Sequence, residues 1–141
     1  MEIDILQSSD LNTIVQKQVS ELYKQLNSNI EQRSLQQILK NENNVIMTVC
    51  RDQNKIIGIA LLATYKVISG HRGMVEDVVV DTSHRGKGIG RKLMEKLLEE
   101  AKNRNLNEIL LFTGHHRLPA INLYKSLGFT LRESGLYNLK L

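Results

Sequence analysis

Between Val78 and Ala101 the hydrophobic rhythm of the chain changes abruptly. Val78-Val79-Val80 is a run of β-branched residues, the composition of a strand covered on both faces. Then comes Arg85-Gly86-Lys87-Gly88-Ile89-Gly90. From there Ile89, Leu93, Met94, Leu97, Leu98 and Ala101 recur at helical spacing, with charges opposite. A strand that passes into an amphipathic helix through a glycine turn commits the chain to layers. The helix must bury its apolar stripe, and the sheet it has just left is the nearest surface.

The turn itself has the makings of an anion cradle. The first N–H groups of a helix lack intrahelical partners, and the helix dipole concentrates positive charge there. A diphosphate answers both. Glycines remove the Cβ that would block a close approach. Arg85, Lys87 and Arg91 surround the turn with full charges. Two familiar phosphate loops are excluded. The P-loop spacing, a glycine followed five residues on by Gly-Lys and then Ser or Thr, is absent. The dinucleotide fingerprint G-x-G-x-x-G fails at its third glycine, where Arg91 stands. A glycine pair alone signifies only a turn. Three glycines alternating with cations at a strand-to-helix junction signify an anion site.

The remaining segments read as alternating strands and helices. Glu2–Leu6 is a strand. Ser8, Ser9 and Asp10 offer caps for a helix whose inward set is Leu11, Ile14, Val15, Leu22 and Leu26. A second helix is predicted over Ser34–Asn41. Val45–Arg51 and Lys55–Tyr65 form a hairpin about Asp52-Gln53-Asn54, and Gly73–Asp81 is the strand before the glycine turn. Glu108–Thr113 is a further strand. Pro119 opens a helix with the stripe Ala120, Leu123, Tyr124 and Leu127, and Gly128 ends it. Phe129–Leu141 reads as one or two closing strands around Ser134-Gly135. The fold class expected is α/β (α+β) with a mixed sheet.

The chain has 141 residues and no linker or repeat, which suits one domain over 1–141. Its one cysteine, Cys50, excludes an internal disulfide, reads as a small core residue and fits the cytoplasm. No run of about 18 apolar residues is long enough for a membrane helix, and the acidic start, MEIDILQSSD, is not a secretory signal. Seven basic residues face three acidic ones between His84 and Arg104, so that stretch holds the whole net charge of +4. A weakly basic whole with 4% aromatic residues argues against nucleic acid as a partner and for a small anionic ligand. His71, His84, His115 and His116 lack metal-ligand spacing and read as surface histidines, so no metal is expected.

Two stretches together carry a resemblance. Arg85-Gly86-Lys87-Gly88-Ile89-Gly90 is similar to the acetyl-CoA motif of the GNAT N-acetyltransferase superfamily: Gln or Arg, two free positions, Gly, one free position, then Gly or Ala. Ala120-Ile121-Asn122-Leu123-Tyr124-Lys125-Ser126-Leu127-Gly128-Phe129 resembles the superfamily's later element, an Ala, a Tyr four residues on and a closing Gly-Phe. Their order and separation by a helix and a strand fit as well. The resemblance implies a mostly antiparallel central sheet with a V-shaped splay and helices on both faces. It also implies acetyl-CoA as cosubstrate, lying in the gap. Backbone groups of Val78, Val79 and Val80 would pair with the pantetheine. Arg85, Gly86, Lys87, Gly88, Ile89, Gly90 and Arg91 would hold the pyrophosphate. The Asn that the family often carries seven residues before the Tyr is Arg117 here, and Asn122 is the alternative cofactor contact.

Acetyl transfer to an amine needs an unprotonated nitrogen, a donor for the oxyanion and an acid for the departing thiolate. Glu76, just ahead of the valine run, is the candidate base. Glu76-Asp77 resembles the Glu-Asp pair of glucosamine-phosphate N-acetyltransferases, although Leu111-Phe112-Thr113 lacks the acidic residue those enzymes carry nearby. Strand alternation puts Asp77 on the opposite face from Glu76 unless a bulge intervenes. Tyr124 is the candidate acid, in keeping with the resemblance. The expected function is acetyl-CoA-dependent N-acetyl transfer to a small-molecule or peptide amine, chosen by the early helices and the Tyr65–Gly73 loop. A catalytically idle acyl-CoA sensor or partner subunit is the alternative. An exposed closing strand would allow two copies to pair as a homodimer.

Overall fold

The computed structural model describes all residues, Met1–Leu141. Five strands form one sheet in sequence order: β1 (Glu2–Leu6), β2 (Val45–Asp52), β3 (Lys55–Val67), β4 (Gly70–Val80) and β5 (Glu108–Leu110). The first four are antiparallel and β5 joins β4 in parallel, so the sheet is mixed and mostly antiparallel, as expected. Four helices cover it: α1 (Thr13–Tyr23), α2 (Leu35–Leu39), α3 (Ile89–Asn103) and α4 (Leu118–Ser126).

The helices divide between the two faces because strand residues alternate. On one face Ile89, Leu93, Met94, Leu97 and Ala101 of α3 pack on Ile46, Ile57, Leu62 and Val75. Leu93, Met94 and Leu97 are fully buried, and each contributes roughly 1.5–3 kcal/mol by burial. On the other face Val19, Leu22 and Leu35 of α1 and α2 pack on Met47, Ile59, Leu61 and Val79.

Several boundaries differ from expectation. Ser8–Asp10 is a short 3-10 turn, and α1 starts later, where Asn12 Oδ1 accepts the Val15 N–H at 2.8 Å. That phase puts Val19 and Leu22 inward and leaves Ile14 68% exposed, with Leu26 past the helix end. In α2 the cap is Ser34, and only Leu35–Leu39 is helical. Tyr65–Gly73 is not a loop: β3 and β4 continue to Val67↔Gly70 and leave only Ile68 and Ser69 at the tip. β5 ends at Leu110, three residues short. After Phe129 no strand forms, so the closing strand on which pairing of two copies was expected is not there. Leu131, Tyr137, Leu139 and Leu141 are exposed. No helix is long and apolar enough to cross a membrane.

Candidate active site

β4 and β5 are fastened at one end only. Their register runs Arg72↔Glu108, Gly73↔Ile109 and Met74↔Leu110 and stops. Arg72 Nε meets Glu108 Oε1 at 3.3 Å across this pairing. Asn107 N–H donates to His71 O at 2.7 Å, and its Oδ1 accepts the His71 N–H at 2.8 Å. Beyond Met74, β4 pairs with β3 alone. The edge of Val75–Val80 that faces away from β3 is therefore open, and it runs straight toward the glycine turn.

The register also breaks inside β4. Leu61 pairs with Glu76 and Ile59 with Val79, so β3 advances two residues while β4 advances three. Asp77 absorbs the extra residue at φ +52°, the signature of a bulge. This corrects the expectation for Asp77. Val75, Val78 and Val80 pack toward α3 and Val79 toward α1. Glu76 stands opposite Leu61, on the α1 side, and Asp77 accepts a long 3.4 Å hydrogen bond from the Tyr23 hydroxyl of α1. The bulge turns both carboxyls to one side. Partial burial raises the pKa of Glu76, and the neighbouring Asp77 adds to it. Asp77 is also raised by burial, with the Tyr23 hydrogen bond opposing. Burial, then the two carboxylates, push Tyr23 upward as well.

The glycine turn is open to approach. Gly86 (φ +80°) and Gly88 (φ +76°) both adopt the left-handed region, and a Cβ on either would meet nothing within 4 Å. Gly88 is the residue ahead of α3, and no side chain caps that end. Arg85 Nε donates to Val80 O at 3.2 Å, tying the turn to the end of β4. Ile89 is turned into the core at 2% exposure and can offer only its backbone. Val79 is likewise buried. Arg91 turns to α4, where Nη1 donates to Ser126 Oγ at 2.7 Å, and its Nε meets Glu95 at 3.4 Å.

Between β4 and the turn sits a knot of side chains that the sequence reading missed. Asp81 accepts from Gln25 Nε2 at 2.7 Å, from Ser83 Oγ, and from His84 Nδ1 at 2.8 Å. Gln25 Oε1 accepts the Thr82 N–H at 2.9 Å, and His84 Nε2 reaches Asp52 at 3.4 Å. These hydrogen bonds, Gln25 first, hold the Asp81 carboxyl well below the usual carboxylate range. The local signal was Asp81-Thr82-Ser83-His84, but Gln25 and Asp52 are joined to it only by folding.

On α4, Pro119 occupies the first turn and Gly128, at φ +100°, follows the helix. Tyr124 stacks edge-on to Phe129 at 6.0 Å between centroids and packs against the α3-side core. Burial raises its pKa and Arg117 opposes that rise. Arg117, at the start of α4, and Asn122, on it, are exposed. The one buried polar side-chain atom without a partner, Thr113 Oγ1, lies just past β5. No group of three or more His, Cys, Asp or Glu side chains is arranged to hold a metal ion. Cys50 is buried in the core.

On the carboxyl side, a cavity of about 100 Å³ lies between the α1–α2 layer and the sheet. Its polar lining residues are Tyr23, Asp77, and Gln32 and Arg33 of the α1–α2 connection.

The model of the acetyltransferase (GNAT) family matches residues 11–129. Glucosamine 6-phosphate N-acetyltransferase of Trypanosoma brucei brucei is 30% identical over 94% of this chain and 91% of its own length. Streptothricin acetyltransferase of Escherichia coli is 36% identical over 63% of this chain and 49% of its length. The chain spans about half or less of the length of most of the curated relatives it matches. Among solved structures, an acetyltransferase of Trypanosoma brucei superposes with TM-score 0.78 at 25% identity, covering 99% of both chains.

Proposed function

Because the chain belongs to the GNAT acetyltransferase family, we propose that residues 1–141 act as one catalytic domain that moves the acetyl group of acetyl-CoA directly to an amine. One observation carries the reading. β4 parts from β5 after Met74↔Leu110, and its free edge leads into the left-handed glycines ahead of α3. An extended pantetheine needs such an edge, and a pyrophosphate needs such a turn.

The residues present suit that ligand. Gly86 and Gly88 leave open space where side chains would stand, and the uncapped N–H groups of α3 face it. Arg85 and Lys87 supply charge, while Arg91 contributes by holding α3 against α4. Val78 and Val80 offer backbone groups on the open edge. Arg117 and Asn122 are the exposed polar groups of the α4 side. Acetyl-CoA supplies the activated acyl group.

Glu76 takes a proton from the acceptor's ammonium group, directly or through a water. Its raised pKa brings it closer to working pH, which favours proton transfer. The nitrogen then forms its bond to the carbonyl carbon, and a backbone N–H of the open β4 edge donates to the oxygen. The C–S bond breaks as Tyr124 gives its proton to the leaving sulfur, and the excess proton on the new amide nitrogen passes to the phenolate, which leaves a neutral amide, a thiol and Tyr124 as it began. A raised pKa keeps that phenol protonated at neutral pH. The lone buried Cys50 is in keeping with work in the cytoplasm.

The test is incubation with acetyl-CoA and a panel of amines, following free thiol and N-acetyl product together. Equal amounts of the two support direct transfer. Saturable CoA binding with no thiol release from any amine would leave a binding module in place of an enzyme.

A further inference from the structure

We propose that Gln25, just past the end of α1, is a positioning residue for acetyl-CoA. Its side-chain amide clamps Asp81 and Thr82, where the chain leaves β4, and so sets the direction of the glycine turn. The proposal rests on the acetyl-CoA reading of that turn and adds to it a residue from the layer opposite α3.

The sheet lets go of the chain at Asp81, whose N–H still donates to Ile57 O of β3 at 2.8 Å. Thr82–His84 is then a 3-10 turn outside the sheet, and Arg85 follows. The first N–H past the sheet is that of Thr82, and Gln25 Oε1 accepts it at 2.9 Å. The other half of the same amide, Nε2, donates to Asp81 Oδ1 at 2.7 Å. Gly86 comes only four residues after Thr82. A tilt at Thr82 is therefore carried to the N–H groups that would meet the pyrophosphate.

Only one orientation of the amide serves both partners. A backbone N–H only donates, and the ionised Asp81 carboxyl only accepts. Reversing the amide would set donor against donor and acceptor against acceptor. The side chain is not spent on capping its own helix. Leu22 O takes the Gln25 N–H at 3.0 Å, and Tyr23 O takes the Leu26 and Asn27 N–H groups at 2.9 and 3.1 Å. Those same bonds hold the Gln25 backbone in place.

Asp81 also divides its oxygens. Oδ1 faces Gln25, while Oδ2 faces Ser83 and His84. That division permits an exchange. With a carboxylate at position 25 and an amide at position 81, the bond between them runs in reverse. The acceptors for Thr82, Ser83 and His84 stay where they were, and the net charge is unchanged.

The experiment is calorimetric titration of CoA into the wild type, Gln25→Leu, Gln25→Glu, Asp81→Asn and the double variant Gln25→Glu/Asp81→Asn, each shown to be folded by its thermal melt. Gln25→Leu, at an exposed position, should weaken CoA binding about 5- to 10-fold, the range for one or two lost hydrogen bonds. Gln25→Glu sets two carboxylates face to face and should weaken it at least as much. Asp81→Asn opposes two amide donors and should weaken it too. The double variant should return to within about twofold of the wild type. A merely structural role would lower melting temperatures without this loss and recovery of affinity. The proposal is overturned if Gln25→Leu binds CoA as the wild type does, or if the double variant stays as weak as the single ones. If the wild type itself binds no CoA, the acetyl-CoA reading fails on its own. Amide hydrogen exchange of the free protein then decides the clamp. Faster exchange confined to Thr82 through Gly88 in Gln25→Leu sustains it, and unchanged exchange overturns it.

Discussion

Arg91 Nη1 donates to Ser126 Oγ across 2.7 Å, and that hydroxyl donates in turn to Leu123 O at 2.6 Å. The contact joins the helix that follows the glycine turn to the helix that carries Tyr124. Arg91 is thereby a strut. Arg91→Ala and Ser126→Ala should lower stability by similar small amounts, at most about 1 kcal/mol for so exposed a contact. They should weaken acetyl-CoA binding by similar factors. Denaturant titration and calorimetry check this. A much larger loss of affinity in Arg91→Ala alone would show the guanidinium reaching the ligand.

Gly88→Glu should abolish CoA binding by calorimetry while leaving the folded circular dichroism spectrum in place. The new side chain clashes with nothing in the protein, since no atom lies within 4 Å of its Cβ position. The left-handed backbone adds strain of only about 1–2 kcal/mol. Unchanged affinity would refute the cradle.

Glu76→Gln should lower kcat by about 10²-fold with little change in acetyl-CoA affinity. In the native enzyme the base works deprotonated, and its pKa is raised. The acid limb of kcat/KM should therefore lie above the ordinary glutamate value of about 4.3. Asp77→Asn removes the second cause of that rise, so the limb should move to lower pH while burial still holds it up. The stability effect has the opposite sense. A raised native pKa contributes stability at low pH that is lost as pH rises through it, so Glu76→Gln should not destabilise the fold at pH 7.

Tyr124→Phe keeps the ring against Phe129 and removes only the hydroxyl. Thiol departure should slow, seen as a lower kcat that improves with acyl donors bearing a better leaving thiol. An unaltered rate would reduce Tyr124 to packing.

Asp81→Asn tests the knot ahead of the turn. The native carboxyl has a lowered pKa, so the unfolded chain takes up the proton first on acidification. Its contribution is complete above the unfolded value of about 3.9 and drains away as pH falls below it. The variant should lose less stability between about pH 4 and pH 2 than the wild type. Thermal melts across that range give the comparison.

Features that depend on near neighbours were legible in the chain. The stripe from Ile89 to Ala101 predicts α3, because a helix buries residues three and four apart. Val78-Val79-Val80 predicts a strand, and Asp52-Gln53-Asn54 a turn, where Gln53 and Asn54 take left-handed φ of +50° and +67°. Ser8 to Asp10 misled, since Asn12 provides a competing cap with better reach. The face of Asp77 also misled, since alternation holds only while two strands advance together.

The sequence by itself determined the layering, the glycine turn and the family, all of which rest on spacing within a few residues. Only the tertiary structure decided that Glu76 and Asp77 share a side, that Gln25 and Asp52 converge on the turn, and that Arg33 faces the same cavity as Asp77. Those relations are set by the register between β3 and β4 and by the packing of α1, which sum contacts over the whole sheet and have no counterpart in local order.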